Sequence, residues 1–326
     1  MDLFESLIAK IKGKNKKIVF PEGNDERVVG AAVRLANDGL VRPIVLGKMD
    51  EVKKTADDIG KGLPETLTVI DPEEYLAEKF EEMVEAFVER RKGKNTKEQA
   101  DKMLTDVNYF GTMLVYMDLA DGLVSGAVHP TGDTVRPALQ IIKTKPGISR
   151  TSGAFVMTRG EERYLFADCA ININPGPQEL AEIAVASTKT ARLFDIDPKV
   201  ALLSFSTKGS AKSSEVEKVA EATRIAQKLA PNENIDGELQ FDAAFVPSVG
   251  QHKAPGSKVA GQSNVFVFPE LEAGNIGYKI AQRLGKFEAI GPILQGLNKP
   301  VSDLSRGANE EDVYKVAIIT ALQATN

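Results

Sequence analysis

Val200-Ala201-Leu202-Leu203-Ser204-Phe205 is a continuous apolar run. It opens into Ser206-Thr207-Lys208-Gly209-Ser210-Ala211-Lys212-Ser213-Ser214, and helical spacing follows over residues 213–229. A strand with one wet face alternates apolar and polar residues. An unbroken run instead predicts a strand covered on both faces, as in parallel sheets flanked by helices. Working outward, the same strand–loop–helix order recurs. Lys17-Ile18-Val19-Phe20 reads as a strand stopped by Pro21-Glu22-Gly23, and Val28, Val29, Ala32, Leu35 and Ala36 lie at helical spacing before Gly39. Strands are expected at 43–47, 66–70 and 122–125, and a charged helix at about 73–92. On the other side come strands at 155–158, 164–166 and 265–268, and helices at 178–193, 270–284 and 309–323. This alternation predicts an α/β fold class with mainly parallel sheets.

The chain has 326 residues, which at about 100–200 residues per domain suggests two domains. Lys145-Pro146-Gly147 interrupts the pattern near the middle, and Gly291-Pro292 and Lys299-Pro300 interrupt it near the end. Composition alone leaves open whether the last helix returns to the first domain. Lys plus Arg total 41 and Asp plus Glu 46, a net charge of −5. That balance excludes a general nucleic-acid coat, which needs a basic face. With the single cysteine Cys169, no intramolecular disulfide and no cysteine-based zinc site can form. The two histidines make a His-rich metal centre a poor fit, so no metal is expected. No basic start leads into a long apolar run and no stretch reaches about 20 apolar residues. A cytoplasmic protein with no membrane partner is the expectation.

Three stretches could carry chemistry. Ser125-Gly126-Ala127-Val128-His129-Pro130-Thr131-Gly132-Asp133-Thr134-Val135-Arg136 places small residues at a strand end, then a helix start near Thr131, then a guanidinium. Ligands of open α/β sheets bind outside the carboxyl ends of the strands, free N–H groups attract anions, and Arg136 offers a planar fork for phosphate. The alternative is a capped helix with a surface Arg; His129 stays unassigned. The hydroxyls of Ser206, Thr207 and Ser210 could cradle a phosphate, or form an ordinary Ser-rich N-cap. Without the full G-x-x-x-x-G-K-[ST] spacing this is no nucleotide P-loop. In Asp303-Leu304-Ser305-Arg306-Gly307-Ala308-Asn309-Glu310-Glu311-Asp312, hydroxyl, guanidinium and carboxylate could converge, while Asn309 and Asp312 equally fit a capping pair.

At these residues the chain resembles the phosphate acetyltransferase (phosphotransacetylase) family. The match runs almost end to end, through Phe20-Pro21-Glu22-Gly23, Asp121-Gly122-Leu123-Val124-Ser125-Gly126 and Arg136-Pro137-Ala138-Leu139-Gln140. It continues in Phe166-Ala167-Asp168-Cys169-Ala170, Asp236-Gly237-Glu238-Leu239-Gln240, Gly274-Asn275-Ile276-Gly277-Tyr278-Lys279 and Asp303-Leu304-Ser305-Arg306-Gly307. The resemblance implies reversible acetyl transfer between coenzyme A and phosphate: acetyl-CoA plus phosphate gives acetyl phosphate plus CoA. CoA is then a substrate, and no cofactor is permanently bound. It also implies a homodimer of two three-layer α/β/α domains, like the isocitrate and isopropylmalate dehydrogenases, with a cleft site. In that fold the first domain is 1–144 plus 297–326 and the second is 145–296.

Roles follow by motif. The resemblance makes Ser305 a transition-state hydrogen-bond donor, Arg306 an anion binder and Asp312 the base for the CoA thiol. Arg136 becomes a CoA or phosphate contact. Substrate contacts are also expected from Ser125, Gly126, Thr131, Ser206, Thr207 and Ser210. Against the family's R-K-x-K-G-x-T the chain reads Arg90-Arg91-Lys92-Gly93-Lys94-Asn95-Thr96, so Arg90 fits best, with Arg91 as the alternative. Ala308 stands where some relatives have cysteine, so a thiol there plays no part.

An ordinary aspartate near pKa 3.9 is a poor base for a thiol near 8.5, since full transfer is uphill by roughly 6 kcal/mol. Free thiolate at pH 7 costs only about 2 kcal/mol. The larger share of catalysis is therefore expected from positioning and charge stabilisation. Within the same class, a phosphate butyryltransferase differs only in pocket volume. A dehydrogenase of the isocitrate type would need a metal-binding Asp cluster that the sequence lacks, and a non-catalytic phosphate-binding module would have no use for Ser305, Arg306 and Asp312 together.

Overall fold

The computed structural model describes residues 3–325. In chain order it opens with α1 (Leu3–Ile11), β1 (Lys17–Phe20), α2 (Glu26–Asn37), β2 (Arg42–Leu46), α3 (Met49–Asp58) and β3 (Thr68–Ile70). Next come α4 (Pro72–Arg91), α5 (Lys97–Leu104), α6 (Val107–Tyr116), β4 (Gly122–Ser125) and α7 (Thr131–Pro137), which runs into a π-helical turn at Ala138–Ile142. The chain continues through β5 (Ser152–Arg159), β6 (Glu162–Ala167), α8 (Pro177–Leu193), β7 (Lys199–Leu203), α9 (Ser214–Leu229) and β8 (Asn234–Leu239). It then forms α10 (Phe241–Phe245), α11 (Pro247–Lys253), β9 (Val265–Val267), α12 (Leu271–Arg283) and β10 (Glu288–Gln295), and ends with β11 (Val301–Asp303) and α13 (Glu310–Gln323). Two compact units result: Met1–Lys143 with Leu297–Asn326, and Thr144–Gly296.

The first unit is built on a five-stranded, wholly parallel sheet in the order β11-β4-β1-β2-β3. Ile18, Val19 and Phe20 are all buried, as a central parallel strand requires. Alternation assigns their covers. Val19, Leu123 and Leu46 lie under Gly111 of α6, whereas Ile18, paired with Gly122, faces Thr320 of α13. α2 ends in a Schellman motif. Gly39 takes φ +66°, its N–H reaches the Ala36 carbonyl at 3.1 Å, and the Leu40 N–H reaches Leu35 at 3.1 Å.

The second unit has a six-stranded sheet, β10-β5-β6-β9-β7-β8. The β6-β9-β7-β8 run is parallel, while β5 pairs antiparallel with both β6 and β10. Its core is aromatic: Phe166 meets Phe266 edge-on at 5.5 Å, and Phe155 stacks on Tyr278 at 4.1 Å. Among the described residues, no helix is long and apolar enough to cross a membrane.

Two readings of the sequence need correction. The apolar run at 200–205 leaves the sheet after Leu203, because the Ser204 hydroxyl accepts the Ser206 N–H at 3.1 Å and turns the chain, leaving Phe205 61% exposed. Gly291-Pro292 is not a break. It lies inside β10, where the register against β5 shifts between Ile290 and Ile293. These assignments make opposite demands on two apolar side chains. Leu123→Ala should destabilise the chain by about 2–5 kcal/mol, through lost transfer energy and a cavity. Phe205→Ala should stay within about 0.5 kcal/mol, as read from urea unfolding midpoints.

Candidate active site

The sheet of the first unit reverses its winding between β1 and β4: β2 and β3 lie to one side of β1, β4 and β11 to the other. Such a switch point opens a crevice at the carboxyl ends of the strands. Here the crevice is occupied by the chain itself. Glu22, two residues beyond β1, is buried. Its Oε2 accepts the N–H groups of Gly126 and Ala127 at 3.2 and 2.9 Å, and its Oε1 accepts those of Val128 and His129 at 2.9 and 3.1 Å. The His129 Nδ1 lies 2.7 Å from Oε1. Four backbone donors match the roughly four lone-pair sites of a carboxylate. Glu22 thus takes the amides of the loop just ahead of α7, not those of the helix start at Thr131 that the sequence offered to a phosphate.

Gly126 must be glycine. Its φ is +116°, and a Cβ would stand 2.6 Å from Asp303 Oδ1 and 2.7 Å from the Leu304 nitrogen. The Ser125 hydroxyl is buried and donates to Asn108 Oδ1 at 2.7 Å, so it faces the interior. Thr131 is exposed at the start of α7 and donates to Asp303 Oδ2 at 2.8 Å. Asp303 closes β11 and is itself buried. Burial pushes its carboxyl up to about 6, the Glu22 charge adds to that, and the hydrogen bond from Thr131 opposes it.

Beyond β11 the Leu304 N–H donates to the Ser125 carbonyl at 2.8 Å. Ser305 and Arg306 follow, both exposed. Their turn closes on itself: the Ala308 N–H donates to the Ser305 carbonyl at 2.9 Å, and the Gly307 N–H to Ser305 Oγ at 3.2 Å. Because Oγ accepts there, its own hydroxyl proton is left for another acceptor. Asn309 and Asp312 form a reciprocal capping box on α13, with Asp312 Oδ2 accepting the Asn309 N–H at 2.9 Å and Asn309 Oδ1 accepting the Asp312 N–H at 2.9 Å. The capping pair weighed from the sequence is therefore present, and Asp312 carries it on one oxygen.

The other proposed residues are placed differently. Arg90 turns its guanidinium to the carbonyls of Ile141 and Ile142 at the end of the π-helical turn and lies over the Tyr116 ring. It supports that turn. Arg91 holds Asn95 at 2.9 Å. Arg136 is exposed, 3.7 Å from Asp133. Ser206, Thr207 and Ser210 belong to the second unit and do not line an open cradle. Ser206 Oγ donates to the buried Glu238 at 3.1 Å, Thr207 Oγ1 donates to Gln240 at 3.1 Å, and Ser210 Oγ accepts the Thr207 N–H at 3.0 Å. The Gly209 N–H also goes to Glu238, at 2.6 Å. A protein carboxylate here takes one loop amide and one hydroxyl. Among the described residues, no group of three His, Cys, Asp or Glu could hold a metal ion.

Sequence reasoning passed over Glu22, Arg27 and Asp303. Arg27 sits in the first turn of α2, where the helix dipole disfavours a cation, and that misplacement was a readable signal. Glu22 lay inside a quoted motif, but nothing local shows which amides a carboxylate will meet more than a hundred residues away.

With the geometry established, the chain can be set beside known proteins. The family model for phosphate acetyl/butaryl transferases matches residues 2–321. A phosphate acetyltransferase from Bacillus subtilis is 64% identical over 99% of both chains. The crystal structure of a phosphotransacetylase from Streptococcus pyogenes is 67% identical with a TM-score of 0.97, covering 99% of this chain and 98% of that one. A Salmonella typhimurium protein described as a 4-hydroxythreonine-4-phosphate dehydrogenase, 15% identical with a TM-score of 0.56 over 95% of this chain and 99% of its own, shares the fold alone.

Asp303 gives this site a pH signature. Its carboxyl holds a proton more tightly in the native chain, at about 6, than at its ordinary 3.8. The native state therefore loses stability as pH climbs from about 4 past 6. Asp303→Asn removes that loss. Relative to wild type, the variant should gain up to about 3 kcal/mol between pH 4 and pH 8 in urea unfolding.

Proposed function

We infer that this chain, which belongs to the phosphate acetyl/butaryl transferase family, transfers an acetyl group reversibly between coenzyme A and phosphate, so that acetyl-CoA plus phosphate gives acetyl phosphate plus CoA. The observation that carries the reading is end-to-end likeness to relatives named for acetyl transfer, 64% and 67% identical over nearly the whole of each chain. Their names favour acetyl over longer acyl groups.

The reacting loop is assigned to Ser305-Arg306-Gly307. Towards acetyl-CoA, the CoA sulfur attacks the carbonyl carbon of acetyl phosphate. The C–S bond forms, the bond from that carbon to the bridging oxygen breaks, and phosphate leaves with the electron pair. Arg306 holds the phosphate charge, and the Ser305 hydroxyl donates to the oxyanion that develops on the carbonyl. Asp312 Oδ2 is tied to the Asn309 N–H, and Oδ1 is the oxygen assigned to the thiol proton. Since thiolate is only about 2 kcal/mol away at pH 7, this proton transfer contributes less than positioning. Arg136, exposed beside Asp133, is assigned to a phosphate of CoA.

Transfer is direct, without an acetylated cysteine. Burial pushes the thiol of Cys169 well up, the neighbouring Asp168 charge adds to this, and the side chain is fully enclosed. No cofactor is retained, and the cytoplasm, where CoA esters are handled, is the proposed location.

The chain is further proposed to pair with a second copy of itself. Ile276, Ile280 and Leu284 recur every four residues along α12 and its C-terminal end and are 57%, 53% and 79% exposed, an apolar stripe suited to an isologous contact. Ile280→Glu should convert a dimer to a monomer in sedimentation; an unchanged mass would remove α12 from the interface.

Release of phosphate-dependent thiol from acetyl-CoA tests the activity, and butyryl phosphate against acetyl phosphate tests the acyl group. Arg306→Ala is expected to lower kcat more than Asp312→Asn at pH 8–9, with the Asp312→Asn defect growing as pH falls. A pH-independent defect at Asp312 larger than that at Arg306 would refute this ranking.

A further inference from the structure

We propose that Arg27 is a positioning residue for the reaction, its guanidinium tying the Ser305–Ala308 turn to the loop after β4. This rests on the assignment of that turn as the reacting loop. All five N–H donors of a guanidinium can be used at once in one plane, and Arg27 uses its fork in that way. Nε and Nη2 grip the two oxygens of Asp25, at 3.1 and 2.8 Å. Nη2 also donates to the Ala127 carbonyl at 2.9 Å. Nη1 donates to two carbonyls of the turn, those of Arg306 at 2.9 Å and Ala308 at 2.8 Å.

The turn depends on this grip. It is anchored at its start by the Leu304 N–H on Ser125 and at its end by the Asn309–Asp312 capping box. Between those anchors, among the described residues, the hydrogen bonds reaching the turn from outside it come from Arg27. The two carbonyls bracket Gly307 and Ala308, directly after the residues that carry the Ser305 and Arg306 side chains. The guanidinium is itself fixed: Asp25 caps α2 through the Arg27 and Val28 N–H groups while holding the Arg27 side chain. The hydrogen bond to Asp25 raises the pKa of Arg27, with burial opposing and the Asp25 and Glu22 charges assisting. The Ala127 carbonyl it reaches belongs to the loop whose amides close on Glu22, so the turn is referenced to a loop held by four hydrogen bonds. Lysine cannot replace this grip, because an ammonium is a point donor that cannot span acceptors on three sides of a planar fork.

The test uses the full chain with Arg27→Lys and Arg27→Ala, reading hydrogen exchange over residues 304–312 together with kcat and KM. Arg27→Lys should lower kcat by about tenfold or more while KM for acetyl-CoA and phosphate stays within about threefold, because positioning acts on the transition state. Exchange over 304–312 should rise by about tenfold with the rest of the unit unchanged. Guanidinium ion added to Arg27→Ala should restore part of kcat; if that variant does not fold, Arg27→Lys carries the test. Unchanged exchange, or unchanged kcat, overturns the proposal. In the second case Arg306→Ala separates the two failures: an inactive Arg306→Ala leaves the reacting loop in place and rejects Arg27 alone, whereas an active one rejects the reacting loop itself.

Discussion

A carboxylate closed in a ring of backbone amides organises the first unit. Burying the Glu22 charge is tolerable only because four N–H groups converge on it, replacing the hydration it gives up. The dependence is mutual. Gly126, Ala127, Val128 and His129 are consecutive donors with no helix or sheet partner, and an unmatched buried amide costs about 1–3 kcal/mol. The loop after β4 therefore takes the conformation that serves Glu22. That conformation puts the Ala127 carbonyl under Arg27 and brings Gly126 so close to Asp303 and Leu304 that no side chain fits there. The second unit repeats the device. Asp168 accepts the N–H groups of Gly153, Ala170, Ile171 and Asn172, and Glu238 takes Gly209 and Ser206.

Filling these amide nests with protein carboxylates decides what kind of anion site the first unit can offer. Many α/β proteins hold phosphate on loop amides at a helix start. Here the four amides just ahead of α7, those of Gly126 to His129, are taken by Glu22, and its negative charge disfavours a further anion beside them. The cation proposed to hold an acyl phosphate is Arg306, exposed and two residues after Leu304, which packs on Gly126. A guanidinium on a short turn is a less rigid donor than a backbone amide. The turn then needs an external reference, which the fork of Arg27 supplies through two carbonyls.

The layers of the fold were legible because burial on both faces leaves a direct trace. Ile18-Val19-Phe20 and Val200-Ala201-Leu202-Leu203 are unbroken apolar runs, and both are central strands. Elements whose apolar pattern is interrupted were not legible. β8 carries Asp236 and Gly237 inside it, β10 carries Gly291-Pro292, and α3 reads mostly as charge with only Val52 and Ala56 buried. At the site, residue types were legible and partners were not. The hydroxyls of Ser125, Ser206 and Thr207 look alike whether they face a ligand or a neighbour. What turns them inward are Asn108, Glu238 and Gln240, and only the long-range fold brings those partners near.

Asp312 shows how structure and magnitude converge on one account of the chemistry. As the proposed base it would face a proton held several powers of ten more tightly by the thiol, a mismatch of about 4.6 units for ordinary groups. The structure gives the carboxylate a second task, since one oxygen completes the capping box that starts α13 and so fixes where the Ser305–Ala308 turn must end. α13 is in turn held to α2: Arg34 pairs with Glu311, Tyr314 donates to Asp38, and Lys61, beyond α3, bridges Glu310 to the Gly30 carbonyl. α2 is also the helix that carries Arg27. The far end of the turn and its central tether thus refer to the pair α2 and α13, while its start is held to Ser125 at the end of β4. On the proposed mechanism, a residue that contributes little as a proton acceptor still matters to the rate, through the placement of the groups assigned to carry the charge.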